Sequence, residues 1–145
     1  MALPVKVLIA HGHRLFSIII PNVMKAYGME VTGHVRTTAD LLAEASALPP
    51  QVILMDIGLP GMRRFDTLKK LAIICPRSKI ILHWNYDDRH LLKQAINAGC
   101  DACIAFDARP PVYRLAIRQV MKGEKFYFSQ CRCSPVYSQG PINQP

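Results

Sequence analysis

Five short apolar runs, each followed by a stretch of helical periodicity, leave this chain very few folds. Residues 5–10, 52–55, 79–82 and 102–106 are nearly continuous in aliphatic side chains, and residues 30–35 alternate as a strand does. After them, apolar residues recur at helical spacing: Leu15, Ile18, Ile19, Val23 and Ala26; Leu41, Leu42 and Ala45; Phe65, Leu68, Leu71 and Ala72; residues 87–98; and Leu115, Ile117, Val120 and Met121. The punctuation agrees. Gly28 and Gly99 stand where helices should end, Thr37 or Thr38 can cap the second helix, Pro49-Pro50 ends it, and Pro110 or Pro111 opens the last. Pro21 lies inside the first helix, where its missing N–H predicts a kink or a cost of about 3 kcal/mol.

Strands that are apolar on both faces must be covered on both, and parallel strands need crossover connections that supply the covering helices. The predicted fold is therefore α/β, a three-layer α/β/α sandwich around a five-stranded parallel sheet. A chain of 145 residues accommodates one such domain. From Ser129 onward periodicity is lost to Ser, Pro, Gln and Gly, so residues 1–128 are read as the domain and 129–145 as a linker or disordered tail.

Composition excludes several classes of function. The longest apolar runs fall far short of the roughly 18 residues that a membrane span needs, and the N-terminus has neither a basic leader nor a small-residue cleavage site. The expected location is the cytoplasm. Five cysteines make an odd set for a disulfide scaffold, and Cys131-x-Cys133 is at most half a zinc site. Eighteen basic against ten acidic side chains give a net charge of +8, which favours acidic partners. Arg114, Arg118 and Lys122 form an i, i+4, i+8 stripe on the last helix, the pattern of a solvated face.

In an open parallel sheet, ligands bind beyond the carboxyl ends of the strands. The residues there are His11, Gly12 and His13, then Asp56, then His83, Trp84 and Asn85, then Phe106 and Asp107. No Gly-x-Gly-x-x-Gly or Walker-type loop follows the first strand, which speaks against a nucleotide site.

Several segments carry a family likeness. Val7-Leu8-Ile9-Ala10 with His13-Arg14-Leu15-Phe16, then Val52 through Asp56 to Gly58-Leu59-Pro60-Gly61-Met62, then Tyr86-Asp87-Asp88, Ala95-Ile96-Asn97-Ala98-Gly99 and Ala116 through Gly123 follow one another in order. Across about residues 4–128 the chain resembles the receiver domains of two-component response regulators, in their NarL/LuxR branch. That resemblance implies a flavodoxin-like, CheY-like strand order, 2-1-3-4-5. It also implies a non-enzymatic signalling module, with Asp56 as the phosphoacceptor of a histidine kinase. Such a module uses Mg²⁺ on a pair of acidic residues, a Ser or Thr after the fourth strand and a Lys after the fifth. DNA contact would come only through a helix-turn-helix domain that this sequence does not contain.

The helper positions depart from the pattern. The acidic pair falls on His11 and Gly12, the hydroxyl position on Trp84 and the lysine position on Phe106. A hard cation wants carboxylate and water oxygens, and an acyl phosphate wants metal and cation to neutralise its spread charge. The reading is a pseudo-receiver with no metal or other cofactor, acting on transcription through a protein partner or a homodimer. The alternatives are an active phosphoacceptor at Asp56, and a small-ligand or metal site in the crevice with His11, Asp56 and His83 as nitrogen and oxygen ligands. Asp56 can also simply cap a turn or pair with His11 or His83, and Phe106 can be core.

Overall fold

Side-chain alternation along each strand decides which helices can cover it. Val7 and Ile9, Val52 and Leu54, Ile81, and Ala102 and Ile104 share one buried cluster, whereas Leu8, Ala10, Ile53, Met55, Leu82 and Cys103 lie in a second. A computed structural model describes residues 3–62, 65–84, 89–106, 108–129 and 134–137. The elements are β1 (Lys6–Ala10), α1 (Arg14–Ala26), β2 (Glu30–Val35), α2 (Thr38–Ala47), β3 (Val52–Asp56) and α3 (Asp66–Ile74). After them come β4 (Lys79–Trp84), α4 (Arg89–Asn97), β5 (Ala102–Ala105) and α5 (Pro110–Met121). Strands β2-β1-β3-β4-β5 pair in parallel in that order, as the resemblance implied. Helices α1 and α5 cover the first cluster and α2, α3 and α4 the second.

The cap expected for the second helix forms, and the first helix has one that was not expected. Thr37 caps α2 by accepting from the Asp40 N–H at 3.1 Å, and His13 Nδ1 caps α1 by accepting from Leu15 N–H. The first helix runs through Pro21 without a break. Gly61 is required where it stands: φ is +95°, and a Cβ there would collide with the Thr38 hydroxyl. The segment with Tyr86-Asp87-Asp88, like Asn85, Asp107 and Cys131-x-Cys133, lies outside the described residues.

The sheet does not stop at five strands. It has seven, because β6 (Phe126–Ser129) adds in parallel to β5 and β7 (Ser134–Tyr137) pairs antiparallel with β6. The physical reason is the apolar pair that follows α5. Gly123 turns the chain at φ +83°, and Phe126 then enters the α1/α5 core while Tyr127 enters the opposite one. The Tyr127 hydroxyl donates to the Cys100 carbonyl at 3.1 Å. Part of the segment read as tail is therefore strand.

Candidate functional site

Alternation also fixes what meets at the carboxyl edge of the sheet. Asp56 follows Val52 and Leu54 in parity, His83 follows Ile81, and His11 follows Ile9, so all three project toward α1 and α5. In the sheet register Asp56 sits beside His83. Trp84 takes the opposite parity and is buried in the core under α2, α3 and α4. The indole thus fills core and does not roof the crevice.

His11, His83 and Tyr113 of α5 form a continuous buried line, with Asp56 beside its His11 end. His11 Nε2 lies 3.0 Å from His83 Nδ1, and His83 Nε2 lies 2.7 Å from the Tyr113 hydroxyl. Both imidazoles are wholly buried. At the other end, the His13 backbone N–H donates to His11 Nδ1 at 3.2 Å, and His11 Nδ1 stands 3.6 Å from Asp56 Oδ2, too far for a hydrogen bond. Asp56 Oδ1 accepts the Gly58 N–H at 2.9 Å.

A backbone N–H can only donate, so His11 Nδ1 is an acceptor and its proton sits on Nε2. That proton goes to His83 Nδ1, leaving His83 Nε2–H to donate to the Tyr113 oxygen. The line is satisfied with both rings neutral. Burial pushes the His83 imidazole down to about 3, with His11 adding to the effect and the Ala105 backbone opposing it. His11 is lowered too, first by burial, with the Asp56 carboxylate opposing and His13 and His34 adding.

Aromatic rings surround this line. The Phe106 centroid lies 4.6 Å from that of His83 and 5.3 Å from that of Phe16 on α1, and Phe16 meets His83 edge-on at 4.8 Å. Phe106 is half-buried among these rings and lies outside both core clusters. A lysine at this position would place an ammonium group among ring faces and two imidazoles, whereas phenylalanine closes the space with apolar surface.

The donor set does not fit magnesium. Among the described residues one carboxylate, Asp56, is present, with one of its oxygens already engaged by Gly58. The imidazole at the first acidic position is committed to His83 and to the His13 N–H. At the second, a Cβ on Gly12 would lie 3.2 Å from Pro60 Cδ, so even a short side chain would press on the Pro60 ring. Mg²⁺ demands near-octahedral oxygen ligands, and among the described residues no second carboxylate joins Asp56 here. Nor do His11, Asp56 and His83 form a transition-metal site. The ring nitrogens that face each other are hydrogen-bonded to each other, and among the described residues no three His, Cys, Asp or Glu side chains converge on a common point.

Of the residues singled out in the sequence, the structure thus brings together His11, Asp56 and Phe106, places Gly12 beside Pro60, and sends Trp84 to the other face. Sequence reading named His83 only as an alternative ligand or partner of Asp56 in the crevice, where the parity of β4 places it, and it missed Tyr113 and Phe16. Replacing Tyr113 by Phe removes the oxygen that pairs with His83 Nε2 in a buried site, which should cost about 1–3 kcal/mol. Urea unfolding of Tyr113→Phe checks this, and a loss within about 0.5 kcal/mol, the range of an ordinary surface substitution, would mean that the contact contributes little.

The sequence profile of the response regulator receiver domain matches residues 7–118, and the chain belongs to that family. It is 30% identical over 127 residues to the nitrate/nitrite response regulator protein NarP of Escherichia coli, covering 87% of this chain and 59% of NarP. It is 26% identical over 117 residues to the chemotaxis protein CheY of Thermotoga maritima, covering 81% of this chain and 98% of CheY. The signal receiver domain of the response regulator NarL from Mycobacterium tuberculosis superposes with a TM-score of 0.80 at 22% identity, over 85% of this chain and all of that domain. The chain spans about half the length of several transcriptional regulators that it matches. No helix among the described residues is long and apolar enough to cross a membrane.

Proposed function

We propose that this receiver works as a pseudo-receiver in the cytoplasm, regulating transcription through protein contact and without a phosphoryl group on Asp56. One observation carries the reading: the first acidic position is a buried imidazole, hydrogen-bonded to His83 and through it to Tyr113. Removing a single electrostatic stabiliser of a charged transition state costs roughly 3–4 kcal/mol, and here the acidic pair, the hydroxyl and the lysine are all replaced. The surviving carboxylate and its loop keep the shape of the family site without its electrophilic support. The partner is a protein, or a second copy of the chain, and DNA would be reached only through a helix-turn-helix domain outside these residues.

Incubation with acetyl phosphate or beryllofluoride in the presence of Mg²⁺, followed by intact mass measurement, tests this. The expected result is an unmodified chain, indistinguishable from Asp56→Asn. A phosphoryl adduct on the wild type that is missing from Asp56→Asn would establish the chain as an active phosphoacceptor, the substrate of a histidine kinase, and overturn the proposal.

A further inference from the structure

The face formed by α1 and α5 combines two properties that surfaces seldom combine without use. The two helices lie side by side over the same core, to which Ile20 and Met24 of α1 and Tyr113, Ala116, Ile117 and Val120 of α5 contribute. Their outward sides carry large apolar residues: Leu15 is 55% exposed, Ile18 60%, Ile19 41%, Leu115 46% and Met121 39%. Isolated exposed aliphatics mean little, but five on two adjacent helices form the kind of patch that marks an interaction site.

The charge on this face has one sign. Neither α1 nor α5 contains an Asp or a Glu. Arg14 and Lys25 on α1, and Arg114, Arg118 and Lys122 at the outer side and end of α5, are all exposed. Arg114 is held in place, its guanidinium 5.5 Å from the Tyr27 ring centroid at the end of α1. An apolar patch whose two helices carry cations and no carboxylate, with Glu124 just beyond the end of α5, selects its occupant by charge complementarity.

We infer that the α1/α5 face docks an amphipathic helix of a partner protein, with aliphatic residues laid between Leu15, Ile18 and Leu115 and carboxylates set against Arg14, Lys25, Arg114 and Arg118. This rests on the reading of the chain as a module that acts by protein contact, and names the surface and the partner's chemistry. A second copy laid face to face on this surface would set the helix cations against one another, with no Asp or Glu on either helix to offset them. Duplex DNA would satisfy the arginines and leave the aliphatic side chains wet. An anionic membrane would be expected to meet exposed Trp or Phe among the aliphatics, and the exposed positions of α1 and α5 have neither.

The probe is a labelled synthetic helix of about 20 residues, Leu on one face and Glu on the other, compared with the same peptide carrying Lys in place of Glu. Fluorescence anisotropy with the whole chain should show saturable binding of the Glu peptide only. Arg114→Glu/Arg118→Glu should weaken it at least about tenfold, and so should Ile18→Ser/Leu115→Ser. The apolar double variant separates docking from mere charge attraction, and far-UV circular dichroism of both variants verifies that they fold. Equal binding by wild type and the apolar variant would overturn the inference. So would sedimentation showing a wild-type dimer that the same substitutions dissociate, or co-sedimentation with phosphatidylglycerol vesicles while the Glu peptide fails to bind. An adduct on Asp56 with the peptide bound would sink only the pseudo-receiver reading; an unmodified Asp56 with no peptide bound would sink only this one.

Discussion

Phe126→Ala is expected to lower the free energy of unfolding by about 3–5 kcal/mol, the range for truncating a buried phenylalanine where the surroundings cannot close in. The ring is 1% exposed and packs with Ala102, Ile117 and Val120 in the α1/α5 core. Its backbone N–H donates to the Asp101 carbonyl at 3.1 Å, and its Cα pairs with that of Ala102. Domains of this size are commonly stable by only about 5–15 kcal/mol, so the variant should be partly unfolded at modest urea. The experiment decides where the domain ends. Were α5 the last element, Phe126 would be a surface residue and its truncation would change stability by no more than about 0.5 kcal/mol. A shifted urea midpoint at unchanged slope would show that the strand is part of the cooperative unit.

That strand is also where sequence reading and structure part company. Periodicity needs several residues to declare itself, and the apolar pair Phe126-Tyr127 sits between the basic end of α5 and a Ser- and Pro-rich segment. Only the sheet edge left by β5 turns the pair into a strand, and that edge is a product of the fold. Four of the parallel strands, β1, β3, β4 and β5, were legible because they are buried and spell nearly unbroken apolar runs, and the partly exposed edge strand β2 was legible from its alternation. At the site, Asp56, His11, Gly12 and Phe106 were legible from strand ends and from the family pattern. His83 entered only as an alternative, because the family pattern puts its hydroxyl position one residue later, whereas a strand places residues on a face: counting two back to Ile81 puts the imidazole beside His11. Tyr113 could not have been found this way, since its hydroxyl reaches His83 from a helix 30 residues further along the chain.

The buried imidazoles make the domain acid-sensitive in a specific window. His83 has its ordinary value of 6.5 in the unfolded chain and about 3 in the folded one, and His11 is shifted in the same direction. Between those values the unfolded chain binds the proton that the folded chain refuses, so lowering the pH favours unfolding. Above pH 6.5 the contribution is constant. Below it, stability should fall by up to about 1.4 kcal/mol per pH unit for His83 alone, continuing toward pH 3. The titratable groups that face this imidazole are His11 on one side and Tyr113 on the other, with Asp56 beyond His11, and the Ala105 backbone opposes the shift without reversing it. Of those titratable groups only the carboxylate favours a protonated ring, and it acts on His11. Urea unfolding at pH 7.5 and pH 5 should therefore show the wild type losing about 2 kcal/mol more than His83→Gln, whose amide does not titrate, whatever the variant's stability at neutral pH. Tyr113→Phe keeps both imidazoles and should keep most of the acid loss, which separates titration from loss of the hydrogen bond. Parallel losses in wild type and His83→Gln would mean that water reaches the imidazole in the folded protein, and the neutral line from His11 to Tyr113 could then not be what holds the first acidic position closed.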